Sequence, residues 1–147
     1  MSTLQKSHVF TDIVLEVFKL GGSLVNAGDQ MGAEYDITSA RWKVLGALFL
    51  ANSPQTVSQI ARAMGLTRQA VQRLVDAMHN DDLLQFSENP DHKRAKLVSL
   101  TESGRAVYAK LDKKQFQWAT ECTKGITQAE LETTLSVLKR IEKTLDH

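Results

Sequence analysis

The spacing of apolar residues predicts helices along most of the chain, because these residues recur at three- and four-residue steps. The first predicted helix covers about residues 8–30. The adjacent Gly21 and Gly22 predict a kink or a break within it, since each glycine costs a helix about 1 kcal/mol relative to alanine. Gly28 and Gly32 are expected to mark the exit from this helix.

Three further helices are predicted in the next part of the chain. Thr38 or Ser39 can cap the first of them, which runs to about residue 51 and should be buried because it is apolar nearly all round. The T-x-x-Q sequence at residues 56–59 is a capping box that begins the next helix. Gly65 should end that helix in a left-handed conformation, and Thr67 then caps the fourth helix.

After the fourth helix the apolar period changes from 3.6 to two, which indicates strands. Alternating apolar and polar residues at 84–87 and at 96–100 flank an Asn-Pro-Asp turn, and together they predict a β-hairpin. Thr101 caps a fifth helix, which Gly125 ends. A second capping box, at residues 127–130, begins the last helix.

The length of 147 residues and a hydrophobic share of 42% are typical of one soluble globular domain. No apolar run approaches the ~18 residues of a membrane span, and the N-terminus lacks the apolar segment of a signal peptide. We therefore expect no membrane association and a cytoplasmic localisation. The single cysteine, Cys122, is predicted to be an inert core thiol on an apolar face near Trp118.

The net charge of +1 conceals an uneven distribution along the chain. Residues 1–36 carry a net charge of −3 and residues 76–147 carry −1, whereas residues 37–75 hold five basic residues and no acidic one. A surface that binds a polyanion needs such an acid-free stretch. Charge alone does not distinguish that surface from a solvated face, so the local pattern has to decide.

The third and fourth predicted helices have the spacing of a helix-turn-helix. Ala61 lies four residues before Gly65, and Val71 lies six residues after it. The small residue allows the helices to approach closely, the glycine makes the left-handed turn, and the aliphatic residue fills the seam. Such a pair places its second helix in the major groove of DNA, although helical hairpins without a DNA function can share the pattern.

The fourth predicted helix carries side chains suited to reading DNA bases. Its inward face is aliphatic, whereas the first two turns of its outward face hold threonine, arginine and glutamine without lysine or acid. Arginine can pair with guanine and glutamine with adenine through two hydrogen bonds, and the free N–H groups at the helix start can hold a phosphate. The outward residues are Thr67, Arg68, Gln69, Gln72, Arg73 and, one turn further on, Asp76.

The tip of the predicted hairpin is also basic. Lys93, Arg94 and Lys96 follow one another closely there, next to His92. On an exposed tip these side chains can reach phosphates, and arginine can enter a narrow minor groove. Each of these features alone is also consistent with an ordinary solvated polar surface. The combination of a basic hairpin tip with a neighbouring basic helix-turn-helix is poorly explained by chance.

Taken together, these motifs resemble the MarR family of regulators. The resemblance extends over nearly the whole chain and is strongest at residues 58–61, 66–75 and 93–105. The junction from hairpin to helix is the most specific part, with Arg94 followed by Leu-Val, Leu-Thr and a glycine.

The resemblance implies a mainly α fold with a small two-stranded β wing (α+β), namely a winged helix-turn-helix. A single domain of residues 1–147 would contain the winged-helix DNA-binding lobe over about residues 38–104. The helices at about residues 8–34 and 105–147 would interlock in a homodimer. The helix that begins at Thr67 would read the major groove, and the hairpin would be the wing.

The predicted function is sequence-specific binding of double-stranded DNA by a homodimeric transcriptional repressor. Its operator would be a pseudo-palindrome. Arg73, Gln69 and Gln72 are predicted to read bases, and Thr67, Arg68, Lys93, Arg94 and Lys96 to contact phosphates or the minor groove. The alternative is a protein–protein interaction module built on the same fold, whose binding would not depend on Arg68, Gln72 or Arg73.

One departure from the family pattern concerns the wing arginine, Arg94. The family usually has an acidic residue two positions before it, whereas this chain has His92 there and Asp91 one position earlier. Asp91 is therefore our candidate for bracing Arg94 through a different turn. His92 also leaves open a wing that responds to pH, since histidine changes its charge near neutrality.

The resemblance further implies release from DNA by a small aromatic or phenolic ligand, with Tyr35 and Trp42 as candidate pocket residues. Buried aromatic residues are, however, more often plain core. We predict no enzymatic activity, cofactor or metal site, because the histidines are scattered and no metal-ligand or catalytic motif occurs. Redox control is not predicted either, because the first helix lacks the cysteine of peroxide-sensing relatives.

Overall fold

The computed structural model describes residues 2–146, in which six α-helices and one antiparallel hairpin follow the predicted order. The mainly α fold with a small β hairpin is thereby confirmed. No helix in this part of the chain is long and apolar enough to cross a bilayer. The elements are α1 Thr3–Gly32, a 3-10 helix Ala33–Tyr35, α2 Ser39–Ala51, α3 Val57–Met64, α4 Arg68–Asn80, β1 Leu84–Ser87, β2 Leu97–Leu100, α5 Glu102–Cys122 and α6 Gln128–Leu145.

The first helix is longer than its sequence predicts. It begins at a capping box formed by Ser2 and Gln5 and continues as one helix to Gly32, so Gly21 and Gly22 do not break it. Both glycines face open space. Each glycine lowers the stability of the helix by about 1 kcal/mol, but the helical hydrogen bonds continue on both sides, so the helix does not end there.

Two other glycines let the end of α1 lie against the beginning of α2. Gly32 is the last residue of α1, as predicted, but Gly28 lies inside the helix, and both are buried. A Cβ atom on Gly28 would meet the Ser39 hydroxyl, and one on Gly32 would meet the backbone carbonyl of Ile37. The Ser39 hydroxyl instead donates a hydrogen bond to the Val25 carbonyl at 2.6 Å.

The predicted helix caps are confirmed by hydrogen bonds. Thr38, Thr67 and Thr127 each accept a backbone N–H from the first turn of the helix that follows, and Thr127 forms its capping box with Glu130. Gly65 ends α3 with a φ of 68°, which is the left-handed conformation that favours glycine. The helix-turn-helix therefore follows from local signals alone.

The hairpin pairs in the register Leu84↔Leu100 to Ser87↔Leu97. A third segment, which the alternation pattern does not indicate, joins it at Gln55. The Gln55 N–H donates to the Val98 carbonyl at 2.9 Å, and the Val98 N–H donates back at 2.7 Å. The hairpin is thus fixed by its backbone to the connection between α2 and α3.

The chain divides into two compact units, of which the first ends at Asp112 and the second begins at Lys113. The first unit holds one hydrophobic core, to which α2, α3, α4, the hairpin and α5 contribute. Its largest fully buried side chains are Leu45, Ile60, Met78, Leu84, Leu111, Val44, Val71, Val75 and Val98. This core holds the outward faces of α3 and α4 in a fixed position.

The expectation that α2 is buried all round is only partly correct. Val44, Leu45 and Leu48 are buried, whereas Phe49 is 44% exposed and Leu50 is 80% exposed. Successive residues of a helix point in directions about 100° apart, so one core can cover only a stripe of an apolar helix. The remaining apolar surface of α2 is left open.

Both terminal helices carry apolar side chains that the chain itself does not cover. In the first unit, α1 exposes Leu4, Val9, Phe10, Ile13, Leu15, Val17, Phe18, Leu20, Leu24 and Val25. In the second unit, α6 exposes Leu131, Leu135, Val137, Leu138 and Leu145. Cys122, at the end of α5, is also exposed, so the prediction of a core thiol is wrong. An apolar periodicity shows which residues share a face, but not whether the same chain packs against that face.

Candidate nucleic-acid interface

The fourth helix separates its aliphatic and polar residues as the sequence predicts. Val71, Val75 and Met78 are fully buried, whereas Arg68, Gln69, Gln72, Arg73 and Asp76 are exposed. Thr67 caps the helix, because its hydroxyl oxygen accepts the Ala70 N–H at 3.1 Å. The first turn holds no acidic residue, so the positive end of the helix dipole faces solvent without a neutralising side chain.

A groove of about 610 Å³ lies between α4, the start of α3 and the hairpin. The packed side chains of the core fix α3 and α4, and the backbone bridge from Gln55 fixes the hairpin, so the two together set the shape of this groove. The lining residues from α4 are Arg68, Gln69, Gln72 and Asp76; those from the hairpin are Phe86, Arg94, Ala95 and Lys96; and Thr56, Val57 and Ser58 complete it.

The groove brings together five of the eight residues that the sequence predicts for DNA contact. These are Arg68, Gln69, Gln72, Arg94 and Lys96. Thr67, Arg73 and Lys93 are exposed but do not line it. Three cations and two amides thus meet in one concave surface, with Asp76 as its only acid. Arg73 lies on the same helix, outside the groove.

The tip of the hairpin is organised by His92, a role that the sequence analysis did not assign. The ring Nδ1 accepts the backbone N–H of Arg94 at 3.3 Å and that of Ala95 at 3.2 Å. Asn89 supports the preceding turn, since its side-chain oxygen accepts the Asp91 N–H at 3.0 Å. In this geometry Nδ1 is the acceptor side of the imidazole ring.

Asp91 has a different place from the one the sequence suggests. Among the contacts of residues 2–146, its backbone N–H bonds to Asn89, and no ion pair joins its carboxylate to Arg94. His92 is the hydrogen-bond acceptor here, and it occupies the position where the family usually has an acidic residue. Its place two residues before Arg94 is the sequence signal that could have identified this role.

Two carboxylates contact the polar residues around α4. The Gln72 side-chain N–H donates to the Asp76 Oδ1 at 2.9 Å, one turn apart on the outward face. Asp81, just after α4, forms an ion pair with Arg41 at the start of α2, with 2.7 Å between Nη1 and Oδ2. The second contact joins the end of α4 to another helix of the core.

The candidate ligand residues Tyr35 and Trp42 are half-buried and pack against the hydrophobic core. The Lys110 ammonium lies 5.6 Å from the centre of the Tyr35 ring. Nearby, the Phe49 and Tyr108 rings are 4.5 Å apart, and burial, with a smaller effect of Asp112, raises the pKa of the Tyr108 phenol. Within the described residues, no cluster of histidine, cysteine and carboxylate side chains could hold a metal ion.

Comparison with known families agrees with this arrangement. The model of the MarR family matches residues 35–95, which include α2, α3, α4, β1 and the turn of the hairpin but not β2. An uncharacterized protein of Mycobacterium tuberculosis is 33% identical over 129 residues, which are 88% of this chain and 89% of that protein. The match to this relative extends beyond the segment that the family model covers.

Solved structures of similar fold cover almost all of the chain. A MarR/EmrR family transcriptional regulator from an Acinetobacter species has a TM-score of 0.84 at 19% identity, covering 94% of this chain and 97% of that one. A mutant E. coli MarR complexed with operator DNA has a TM-score of 0.78 at 22% identity, covering 96% and 99%. BpsR of Bordetella bronchiseptica, whose DNA binding is regulated by 6-hydroxynicotinic acid, has a TM-score of 0.77 at 21% identity, covering 88% and 92%.

Proposed function

The chain belongs to the MarR family of winged-helix transcription regulators, and on that premise we propose that it is a cytoplasmic, homodimeric repressor that binds double-stranded DNA sequence-specifically. One observation carries the proposal. The groove between α4 and the hairpin collects Arg68, Arg94 and Lys96 with the amides of Gln69 and Gln72. Cations supply affinity for phosphates, and amides supply hydrogen-bonding groups for base edges.

In this proposal α4 enters the major groove and the hairpin, as the wing, follows the backbone beside it. Gln69, Gln72 and Arg73 then read bases. Thr67, Arg68, Lys93, Arg94 and Lys96 contact phosphates or the minor groove. Arg73 lies outside the groove described above, yet it shares the outward face of α4 with Gln69. A base contact from Arg73 therefore needs DNA that extends past the groove along the helix.

The homodimer is supported by the uncovered apolar surface of the terminal helices. Phe18 of α1 is 76% exposed, and Leu135 of α6 is 54% exposed. Exposed apolar side chains repeated along each of these helices mark an interaction surface. A twofold dimer would hold its two α4 helices about 34 Å apart, so that each reads one half of a pseudo-palindrome.

Selection from a random pool of double-stranded DNA at about 150 mM salt tests this function, because non-specific phosphate binding is weak under those conditions. We expect an inverted repeat whose half-sites lie one helical turn apart. If no DNA sequence is enriched, and the same holds after the protein is refolded and stripped of ligand, the result would instead support the protein–protein interaction module.

Two substitutions distinguish base reading from phosphate contact. Arg73→Ala should weaken binding to the selected site by about 1–3 kcal/mol and relax its specificity, because a paired contact to a base is lost. Lys96→Ala should weaken all sequences alike and lower the salt dependence by about one ion. Titration of the selected site and of a scrambled duplex measures both effects. An equal loss on both duplexes for Arg73→Ala would remove that residue from the base-reading set.

We also propose that a small aromatic acid releases the protein from DNA through the region of Tyr35 and Trp42. The support is the half-buried position of both rings beside the core of the DNA-binding lobe. Adding 6-hydroxynicotinic acid to the complex with the selected site, and repeating the titration with Trp42→Phe, tests this. Release that is the same in both proteins would exclude Trp42 from the pocket.

A further inference from the structure

The hydrogen bond from Gln72 to Asp76 bears on which base the recognition helix selects. Both side chains are exposed on the outward face of α4, and both line the groove. The Gln72 Nε2 donates to the Asp76 Oδ1 at 2.9 Å. Such pairs, four residues apart, also occur on ordinary helix surfaces, where they stabilise the helix slightly. Here the pair lies where the proposed function expects a base.

The chemistry of the two side chains makes this contact directional. A glutamine amide has a donor end and an acceptor end, and rotation by 180° exchanges them. An ionised aspartate only accepts hydrogen bonds, so it binds the NH₂ end of the amide and never the oxygen. Asp76 therefore orients the Gln72 oxygen away from itself, and the amide nitrogen keeps a second N–H that this bond does not use.

A fixed order of donor and acceptor distinguishes the two purines. In the major groove adenine presents the N7 acceptor and the N6 donor, which match the free N–H and the oxygen of a glutamine amide. Guanine presents two acceptors, N7 and O6, so the amide oxygen would face O6 without a hydrogen bond. An amide that rotates freely can donate to either base.

We propose that Asp76 is a positioning residue that fixes the amide of Gln72 and thereby makes it select adenine over guanine. This inference rests on the proposed DNA-binding function. The Asp76 carboxylate repels phosphates, so it lowers affinity for every sequence. Its role in orienting Gln72 explains why an acid is nevertheless present in a groove that is otherwise basic. The cost in general affinity accompanies a gain in discrimination, and the two effects can be measured separately.

The test uses full-length protein and the operator obtained by selection. The position read by Gln72 is the base pair whose adenine preference disappears in Gln72→Ala. At that pair we expect the wild type to prefer adenine over guanine by about tenfold, the size of one paired contact. Asp76→Asn should lower this ratio to about twofold, because asparagine can hold either end of the amide, while affinity for all duplexes rises. Asp76→Glu, which keeps an acceptor-only carboxylate, should retain the preference.

Two controls separate orientation from other effects. Glu88→Gln also removes one exposed acidic charge, from the hairpin, but Glu88 does not line the groove, so the ratio should stay unchanged. Combining Asp76→Asn with Gln72→Ala should change the ratio no further than Gln72→Ala alone.

The possible results are distinguishable from a failure of the proposed function. Absence of any selected site for the wild type would overturn DNA reading itself. A selected site with no adenine preference assignable to Gln72, an unchanged ratio in Asp76→Asn, or an equal drop in the Gln72→Ala background would overturn the role of Asp76 alone.

Discussion

Replacing His92 by alanine should loosen the tip of the wing and weaken DNA binding without removing a charge that contacts phosphate. The change deletes the ring nitrogen that accepts the N–H groups of Arg94 and Ala95. Because Ala95 also donates to the His92 backbone carbonyl at 3.3 Å, its N–H keeps one partner in the variant. The Arg94 N–H loses the ring acceptor, so the segment that carries Arg94 and Lys96 becomes less ordered.

The expected size follows from these bonds. Both distances, 3.3 and 3.2 Å, are long, and the residues are exposed except for a half-buried Ala95, so each bond contributes about 0.5 kcal/mol, the low end of the usual range. Their sum of about 1 kcal/mol corresponds to an affinity loss of about fivefold at most, if all of it is needed to order the tip before binding.

The assay is titration of the selected operator by fluorescence anisotropy at several salt concentrations. His92→Asn is the matched control, since its side-chain oxygen can accept backbone N–H groups in a turn, as Asn89 does here. We expect weaker binding for His92→Ala, near wild-type binding for His92→Asn, and the same salt dependence in all three proteins. Wild-type affinity in His92→Ala, or a reduced salt dependence, would refute the reasoning, because the latter would make His92 a phosphate contact.

The remaining predictions concern stability. Gly32→Ala should destabilise the fold by about 1–3 kcal/mol because its Cβ meets the Ile37 carbonyl, whereas Gly22→Ala, in open space, should stabilise it by about 1 kcal/mol. Urea unfolding at fixed protein concentration measures both, and equal stabilities would contradict the packing argument. A double-mutant cycle of Arg41→Ala and Asp81→Ala should give a coupling of about 0.5 kcal/mol, kept small by exposure, that salt reduces; no coupling at low salt would show that the pair is only a surface contact.

The sequence by itself determined the local elements and their order. Thr38, Thr56, Thr67 and Thr127 cap helices because a hydroxyl group accepts an N–H that lies two or three residues away. Gly65 ends α3 in a left-handed backbone conformation, which glycine adopts easily because it has no side chain. Each of these signals acts within one helical turn, so it can be identified without knowing the rest of the fold.

The sequence also identified the polar face of α4, because the buried and exposed sides of a helix follow from its period. It identified the basic tip of the hairpin by composition alone. It did not separate Arg73 from the residues that line the groove, since that depends on where the hairpin lies beside α4. The backbone bridge from Gln55 to Val98 fixes that position, and no side-chain pattern encodes it.

Only the tertiary structure decided the features that depend on residues far apart or on exact side-chain geometry. Gly28 lies inside α1, where a Cβ atom would meet the Ser39 hydroxyl, and Cys122 is exposed. At the wing tip, His92 rather than Asp91 supplies the acceptor, because only its ring nitrogen reaches the N–H groups of the turn. Periodicity and capping are local and can be predicted from the sequence, whereas close approach, coverage and acceptor choice are decided when separate segments pack together.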